Sequence, residues 1–399
     1  MNKPEIQKLF SKFPFSLPLI LDGATGTELI KAGMPAGICP EAWILSHPDV
    51  IRSIQKKYAA AGSGAVLAPT FGANRVGLAR YALAEKTVEM NRALAGFSRD
   101  AVGHEGVLIG GDFSPTGKLL APFGDADFEE IVSVYKEQAS ALHDVVDFFM
   151  VETNMDLATT RAAVIAVREI SDKPIFVTMT VEGSGKTMSG DDPAACLISL
   201  SEIGISAFGL NCSTGPREMK ALLTPLVPLS LALEIPLIAK PNAGVPSEDG
   251  GHHHLTAKEF AEVAAEMLTS GISILGGCCG TNADTIFAIR EAVDGVSEIA
   301  DTNPTENSKD LLCNARHIVA IDRGDIPEAI IPEDEDNFLD EAADMAEEYG
   351  FALVYLRHEQ DAALVLDAAP LFSFPIAVTG DEKAISLFRR RYTGKALIL

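Results

Sequence analysis

Between residues 17 and 280 the sequence repeats one unit, a short apolar run that ends in small or polar residues and is followed by a longer helix-like stretch. The apolar runs lie at 19–23, 65–71, 107–112, 148–153, 175–180, 207–212, 236–242 and 273–280, which makes eight. Their near-continuous hydrophobicity suits strands buried on both faces, as in an all-parallel sheet. The stretches between them, such as 127–145, 157–170 and 257–268, carry apolar residues at helical spacing. Eight strand–helix units in an α/β chain predict a (β/α)8 TIM barrel, whose chemistry sits at the C-terminal ends of the strands. That rule gathers Asp22, Thr70, Glu152, Cys212, Asn242, Cys278 and Cys279 around one mouth.

A barrel of about 250 residues does not use up 399. The expected division is a barrel over 1–300, a polar linker over 301–310 and a small, more acidic α/β domain over 311–399. In that last part strands are expected at 317–321, 351–356, 375–378 and 395–399, helices at 337–349 and 383–392, and a solvated loop at 332–337. The net charge of −24, with no basic stripe to offset it, argues against a nucleic-acid or anionic-membrane partner. No uncharged apolar run reaches the roughly 18 residues that cross a bilayer, and the first residues lack a secretory apolar segment. The expected location is the cytoplasm.

Six cysteines scattered over this length, two of them adjacent, do not resemble a disulfide framework. Cys39, Cys196 and Cys313 read as buried small residues. Cys212, Cys278 and Cys279 differ, because each stands where an apolar run ends. Neighbours on a regular strand point to opposite faces, so Cys278 and Cys279 can serve one site only where the backbone turns. Gly276, Gly277 and Gly280 permit that turn. Three thiolates with one position left open are the pattern of a Zn2+ site that activates a ligand. Three buried cysteines, or a structural zinc lacking one protein ligand, are the alternatives.

Taken in order, seven separated motifs resemble one family. They are Asp22-Gly23-Ala24-Thr25-Gly26-Thr27-Glu28, Thr70-Phe71-Gly72-Ala73-Asn74-Arg75, Pro115-Thr116-Gly117-Lys118-Leu119-Leu120, Glu152-Thr153, Gly209-Leu210-Asn211-Cys212-Ser213, Pro241-Asn242-Ala243-Gly244 and Gly276-Gly277-Cys278-Cys279-Gly280. Over roughly residues 15–296 the chain resembles the homocysteine S-methyltransferase barrel, in particular the homocysteine-binding module of cobalamin-dependent methionine synthase.

The resemblance implies Cys212, Cys278 and Cys279 as zinc ligands, with Asn242 able to fill the fourth position until homocysteine arrives. It also implies Asp22 and Glu152 on the substrate ammonium, and the Gly23 backbone and Thr70 hydroxyl near the substrate carboxylate. The implied reaction moves a methyl group to the homocysteine thiolate and yields methionine. The Thr70–Arg75 and Pro115–Leu120 motifs are closest to the cobalamin branch, yet no cobalamin-binding module and no Asp-x-His-x-x-Gly segment stands in the chain. The donor is therefore expected to be methylcobalamin carried by a separate corrinoid protein. S-methylmethionine or a methylamine is the alternative donor, and a non-catalytic thiol- or zinc-binding subunit is the alternative from another class.

Two features depart from the family. His252, His253 and His254 stand in the loop after Asn242, where relatives place an aromatic residue, and they read as a solvated loop. Asp112-Phe113 is more acidic and bulkier than the small residues expected there. The C-terminal part weakly resembles half of a folate-binding barrel without its pterin-binding opening motif. It is expected to pack on the first barrel or on a partner and to bind no folate.

Overall fold

The computed structural model describes residues 3–121, 123–246, 252–306 and 308–399. Strands β1 (Leu19–Ile20), β2 (Ala65–Leu67), β3 (Leu108–Phe113), β4 (Phe148–Asn154), β5 (Ile175–Met179), β6 (Ala207–Asn211) and β7 (Leu237–Lys240) follow one another with helices between them. An antiparallel hairpin, β8 (Gly244–Pro246) with β9 (His252–His254), precedes β10 (Ile274–Leu275). The three histidines thus form a strand of a hairpin, and their side chains lie outside the described residues.

Eight strands form one parallel sheet in the order β1-β10-β7-β6-β5-β4-β3-β2. No ladder joins β1 to β2 among the described residues, and individual bonds bridge the seam instead, one of them from the Ser63 hydroxyl to the Leu21 carbonyl at 3.2 Å. Gly64 N–H donates to the Ile20 carbonyl at 2.8 Å, and Leu67 N–H donates to the Asp22 carboxylate at 2.8 Å. The sheet is thereby nearly closed into the expected (β/α)8 barrel.

Side chains that accept backbone N–H groups mark where the helices start. Asp127 caps Phe128–Leu142, Asp156 caps Leu157–Arg168 and Asp192 caps Pro193–Ser201, while Thr256 and Asn282 open Ala257–Thr269 and Ala283–Gly295 with capping boxes. Phe148 and Phe176 pack with ring centroids 4.6 Å apart near the N-terminal ends of β4 and β5. Phe13 stacks on Phe176 at 5.5 Å, and Phe15 meets Phe148 edge-on at 6.0 Å. These rings plug the N-terminal end of the barrel with apolar surface, so the open end is the C-terminal one.

One close approach fixes the spacing of β6 and β7. A Cβ on Gly209 would stand 1.9 Å from the Ile238 carbonyl oxygen, an overlap that only strand separation could relieve. Gly209→Ala is expected to destabilise the protein by about 3 kcal/mol or more in urea denaturation. Gly26→Ala, whose Cβ would meet nothing within 4 Å, should be neutral or stabilising by up to about 1 kcal/mol.

Beyond the barrel, β11 (Leu311–Cys313) pairs antiparallel with β12 (Ile318–Ala320), and β13 (Ala352–Leu356) pairs parallel with β14 (Ile376–Gly380). Helices Glu335–Tyr349, Glu359–Ala368 and Glu382–Arg391 pack with them. The first of these begins inside the segment expected as a loop, with Asp334 as its cap. The strand expected at 395–399 is reduced to isolated bridges. Lys395 pairs with Cys313 and Ile398 with Val378, so the segment crosses from one ladder to another without extending either.

This part of the chain seats on the outer helices of the barrel. Cys313 is buried in the barrel's own apolar cluster, and Asp192 N–H donates to the Ala315 carbonyl at 2.9 Å. The buried Arg161 donates to Ser199 at 2.9 Å and to the Arg389 carbonyl at 2.8 Å. Arg390 forks onto Glu129 at 2.8 Å and reaches Glu169 at 2.7 Å.

Candidate metal centre and its pocket

At the end of β6 the backbone turns sharply. Cys212 and Ser213 have φ of 60° and 50°, left-handed values uncommon for residues with a Cβ. Cys212 N–H donates to the Lys240 carbonyl at 3.1 Å, which ties the turn to β7. After β10 the chain passes through Gly277, where a Cβ would fall 2.3 Å from Thr281 Oγ1, so only glycine fits. Cys278 N–H then donates to the Pro241 carbonyl at 2.8 Å, and Ala243 N–H donates to the Cys279 carbonyl at 2.9 Å. The turn brings both neighbouring thiols to one side. The Sγ atoms of Cys212, Cys278 and Cys279 all lie within 4.8 Å of one another.

The donor set suits a divalent cation. The three thiols are in mutual hydrogen-bonding contact, which pulls the Cys212 pKa down and pushes those of Cys278 and Cys279 up. Asn242 lies against Cys212, and its Oδ1 is buried with no hydrogen-bond partner among the described residues. Three clustered thiols with an amide side chain against one of them fit a site for Zn2+. Cys39, Cys196 and Cys313 are free and buried elsewhere, as expected.

The sulfurs open onto a pocket of about 980 Å³ of empty space, counted out to its mouth, whose lining includes Asp22, Gly23, Phe71, Asp112, Glu152 and Lys240. Lys240, at the end of β7, places its ammonium 2.5 Å from Glu152 Oε2, and both side chains are buried. Burial alone would lower the Lys240 pKa, but the charges of Glu152, Asp22 and Asp112 outweigh it and raise it. Burial also lifts the Asp22 carboxyl to about 7, against the opposing pull of Lys240 and the Leu67 N–H. The Asp112 carboxyl is pushed well above the usual carboxylate range by burial and by the charge of Glu152.

The folded protein thus binds a proton at Asp22 that the unfolded chain releases near pH 4. The contribution of Asp22 to stability therefore falls as pH rises from about 4 to 7. In the metal-free, reduced protein, the stability that Asp22→Asn gains over wild type is expected to grow across that window and level off above it. A pH-independent difference in thermal midpoint would contradict the assignment.

Asp22, Gly23, Glu152, Cys212, Cys278 and Cys279 meet in this pocket, with Asn242 beside Cys212. Thr70 does not line it. Its hydroxyl donates to the Asp112 carbonyl and accepts from the Asp112 N–H, both at 3.0 Å, and so fastens β2 to β3. Phe113 turns away from the mouth and stacks on Tyr135 in the helical layer. Two residues escaped sequence reading. Lys240 was signalled by a charge in an otherwise apolar strand, which demands a buried partner. Asn211 gave no signal of its own. Its Oδ1 accepts from Thr153 N–H at 2.9 Å and Thr178 Oγ1 at 2.8 Å, and its Nδ2 faces Cys278 Sγ at 3.9 Å.

Residues 19–293 match the family model described as homocysteine S-methyltransferase. The methionine synthase of Mycobacterium leprae is 32% identical over 296 residues, covering 69% of this chain and 24% of that protein. The methionine synthase of Mycobacterium tuberculosis is 32% identical over 301 residues, covering 70% and 25%. The chain therefore spans about a quarter of the length of these curated relatives. Among solved structures, the metallated form of the Escherichia coli homocysteine methyltransferase MmuM superposes with a TM-score of 0.58 at 21% identity, covering 68% of this chain and 95% of that one. At that identity the likeness shows the fold.

Proposed function

The chain belongs to the homocysteine S-methyltransferase family, and from that premise we propose that it transfers a methyl group to the sulfur of homocysteine, forming methionine at a zinc site. The observation that carries this reading is the convergence of three cysteine sulfurs and a buried carboxylate cluster on one pocket. Cys212, Cys278 and Cys279 would hold the metal, with the orphaned Asn242 oxygen available as a fourth donor. When bound, Zn2+ lowers the pKa of a thiol in its coordination sphere, so that homocysteine reacts as a thiolate near neutral pH.

The protein's own residues bind and orient. Asp22 and Glu152 supply negative charge for the substrate ammonium, and the backbone at Gly23 borders the space left for its carboxylate. Thr70, committed to the Asp112 backbone, holds the pocket wall and leaves the substrate to its neighbours. In the reaction the thiol proton leaves to solvent, the sulfur forms a bond to the methyl carbon, and the bond between methyl and donor breaks.

The donor in this reading is methylcobalamin on a separate corrinoid protein. The Thr70–Arg75 and Pro115–Leu120 motifs and the likeness to methionine synthases support it. Phe71, Tyr81, Phe123, Met155 and Met188 are exposed in segments that follow β2 to β5, at the same end of the barrel, and offer apolar surface for a docking protein. Residues 311–399 form a separate domain after the 301–310 linker in this reading.

The test is methionine formation by zinc-loaded protein from homocysteine, with methylcobalamin in one arm and S-methylmethionine or methylamines in others. Turnover that depends on methylcobalamin is expected. Activity only with corrinoid-free donors would contradict the donor assignment, and silence with every donor would contradict the enzyme.

A further inference from the structure

The acidic cluster at the bottom of the pocket has more carboxyl groups than cations. Asp22, Asp112 and Glu152 stand against the single ammonium of Lys240, all four side chains buried and all four lining the pocket that holds the cysteine sulfurs. Lys240 has chosen its partner, Glu152. Asp22 Oδ2 accepts from the Leu67 N–H across the barrel seam, which leaves its Oδ1 buried and without a hydrogen-bond partner among the described residues. Asp112 Oδ1 is in the same state.

The fold does not use the Asp112 carboxylate Oδ1. What fastens that residue is its backbone, whose N–H and carbonyl both meet the Thr70 hydroxyl. A buried carboxylate oxygen with no donor costs stability, and such a cost persists where a ligand offsets it. The ligand must bring a cation, and it must bring it on the same molecule that offers sulfur to the three cysteines.

We propose that Asp112 is a direct ligand of the substrate's ammonium group, shared with Asp22, and that Lys240 acts as the internal counter-ion that keeps Glu152 in place beside them. The assignment rests on the thiol-methylating reading of the site and deepens it. The pocket selects amino thiols over thiols of the same length that lack the ammonium group. It also recasts Asp112, an intrusion by sequence, as a specificity residue.

The experiment compares zinc-loaded wild type with Asp112→Asn, a change that keeps shape and removes charge, by calorimetric titration with homocysteine and with 4-mercaptobutanoate, its analogue without the ammonium. Wild type is expected to prefer homocysteine. In Asp112→Asn that preference should fall about 10- to 100-fold, through weaker homocysteine binding, with 4-mercaptobutanoate bound as well or better. The thermal midpoint of the metal-free variant should be unchanged or higher, because the fold makes no hydrogen bond to Asp112 Oδ1 among the described residues.

A preserved preference in Asp112→Asn, alongside a wild type that shows one, overturns the assignment of Asp112 and leaves the thiol-methylating reading standing. A variant that unfolds or melts much earlier also overturns it, by showing that the carboxylate serves the fold. A wild type that binds neither thiol overturns the reading of the site itself.

Discussion

Cys278→Ala is expected to abolish stoichiometric zinc and to reduce methionine formation at least about 1,000-fold. Apparent binding energies of about 10–16 kcal/mol for four-ligand zinc sites imply several kcal/mol per thiolate, and removing one of three leaves Cys212 and Cys279 to hold the ion. Cys278 is also the sulfur most enclosed by its neighbours, since Asn211 Nδ2 faces it at 3.9 Å. Cys196→Ala is the control, because that thiol is buried outside the pocket and free. It should keep both zinc and turnover. Metal content after gel filtration, read beside activity, separates loss of the site from loss of the fold. A Cys278→Ala protein that retained one equivalent of zinc would contradict the ligand assignment.

The largest stability effect is expected at Lys240. Lys240→Met keeps the length of the side chain and removes the only cation that lines the pocket with Asp22, Asp112 and Glu152 among the described residues. Breaking one half of a buried ion pair costs about 3–5 kcal/mol, because the other charge is left without compensation. The loss should appear as a lower midpoint in urea denaturation of the metal-free protein. Adding Glu152→Gln should restore most of it, since the stranded charge is then gone. Little recovery in the double variant would mean that Lys240 serves packing and not charge balance, and the pocket would need another explanation.

The barrel was legible in the sequence because its signal is collective. Eight apolar runs, each buried on both faces, leave little room for another architecture. The zinc-type cysteines were legible for the same reason, since each marks a strand end and strand ends meet at one mouth. What resisted reading depends on orientation. Asp112 and Phe113 are neighbours on β3 and point to opposite faces, so sequence alone cannot say which one enters the pocket. The structure sends Phe113 outward onto Tyr135 and leaves Asp112 inside.

Hydrogen-bond commitments were hidden as well. Thr70 has the right chemistry for a substrate contact, but Asp112 already holds its hydroxyl in both directions. Lys240 could have been read from the cost of burying an ammonium, although its partner on β4 lies 88 residues away in the chain. In the C-terminal part, the apolar segment at 395–399 has strand composition, yet its neighbours give it only one bridge on each side.

The central claim is that three cysteines hold a zinc ion able to take the substrate sulfur as its next neighbour. Zinc K-edge X-ray absorption of the zinc-loaded protein, before and after homocysteine is added, tests it most directly. Three sulfur neighbours and a lighter fourth one are expected before addition, and four sulfurs after it. Fewer than three sulfurs at the start, or a sulfur count that homocysteine leaves unchanged, would contradict the account.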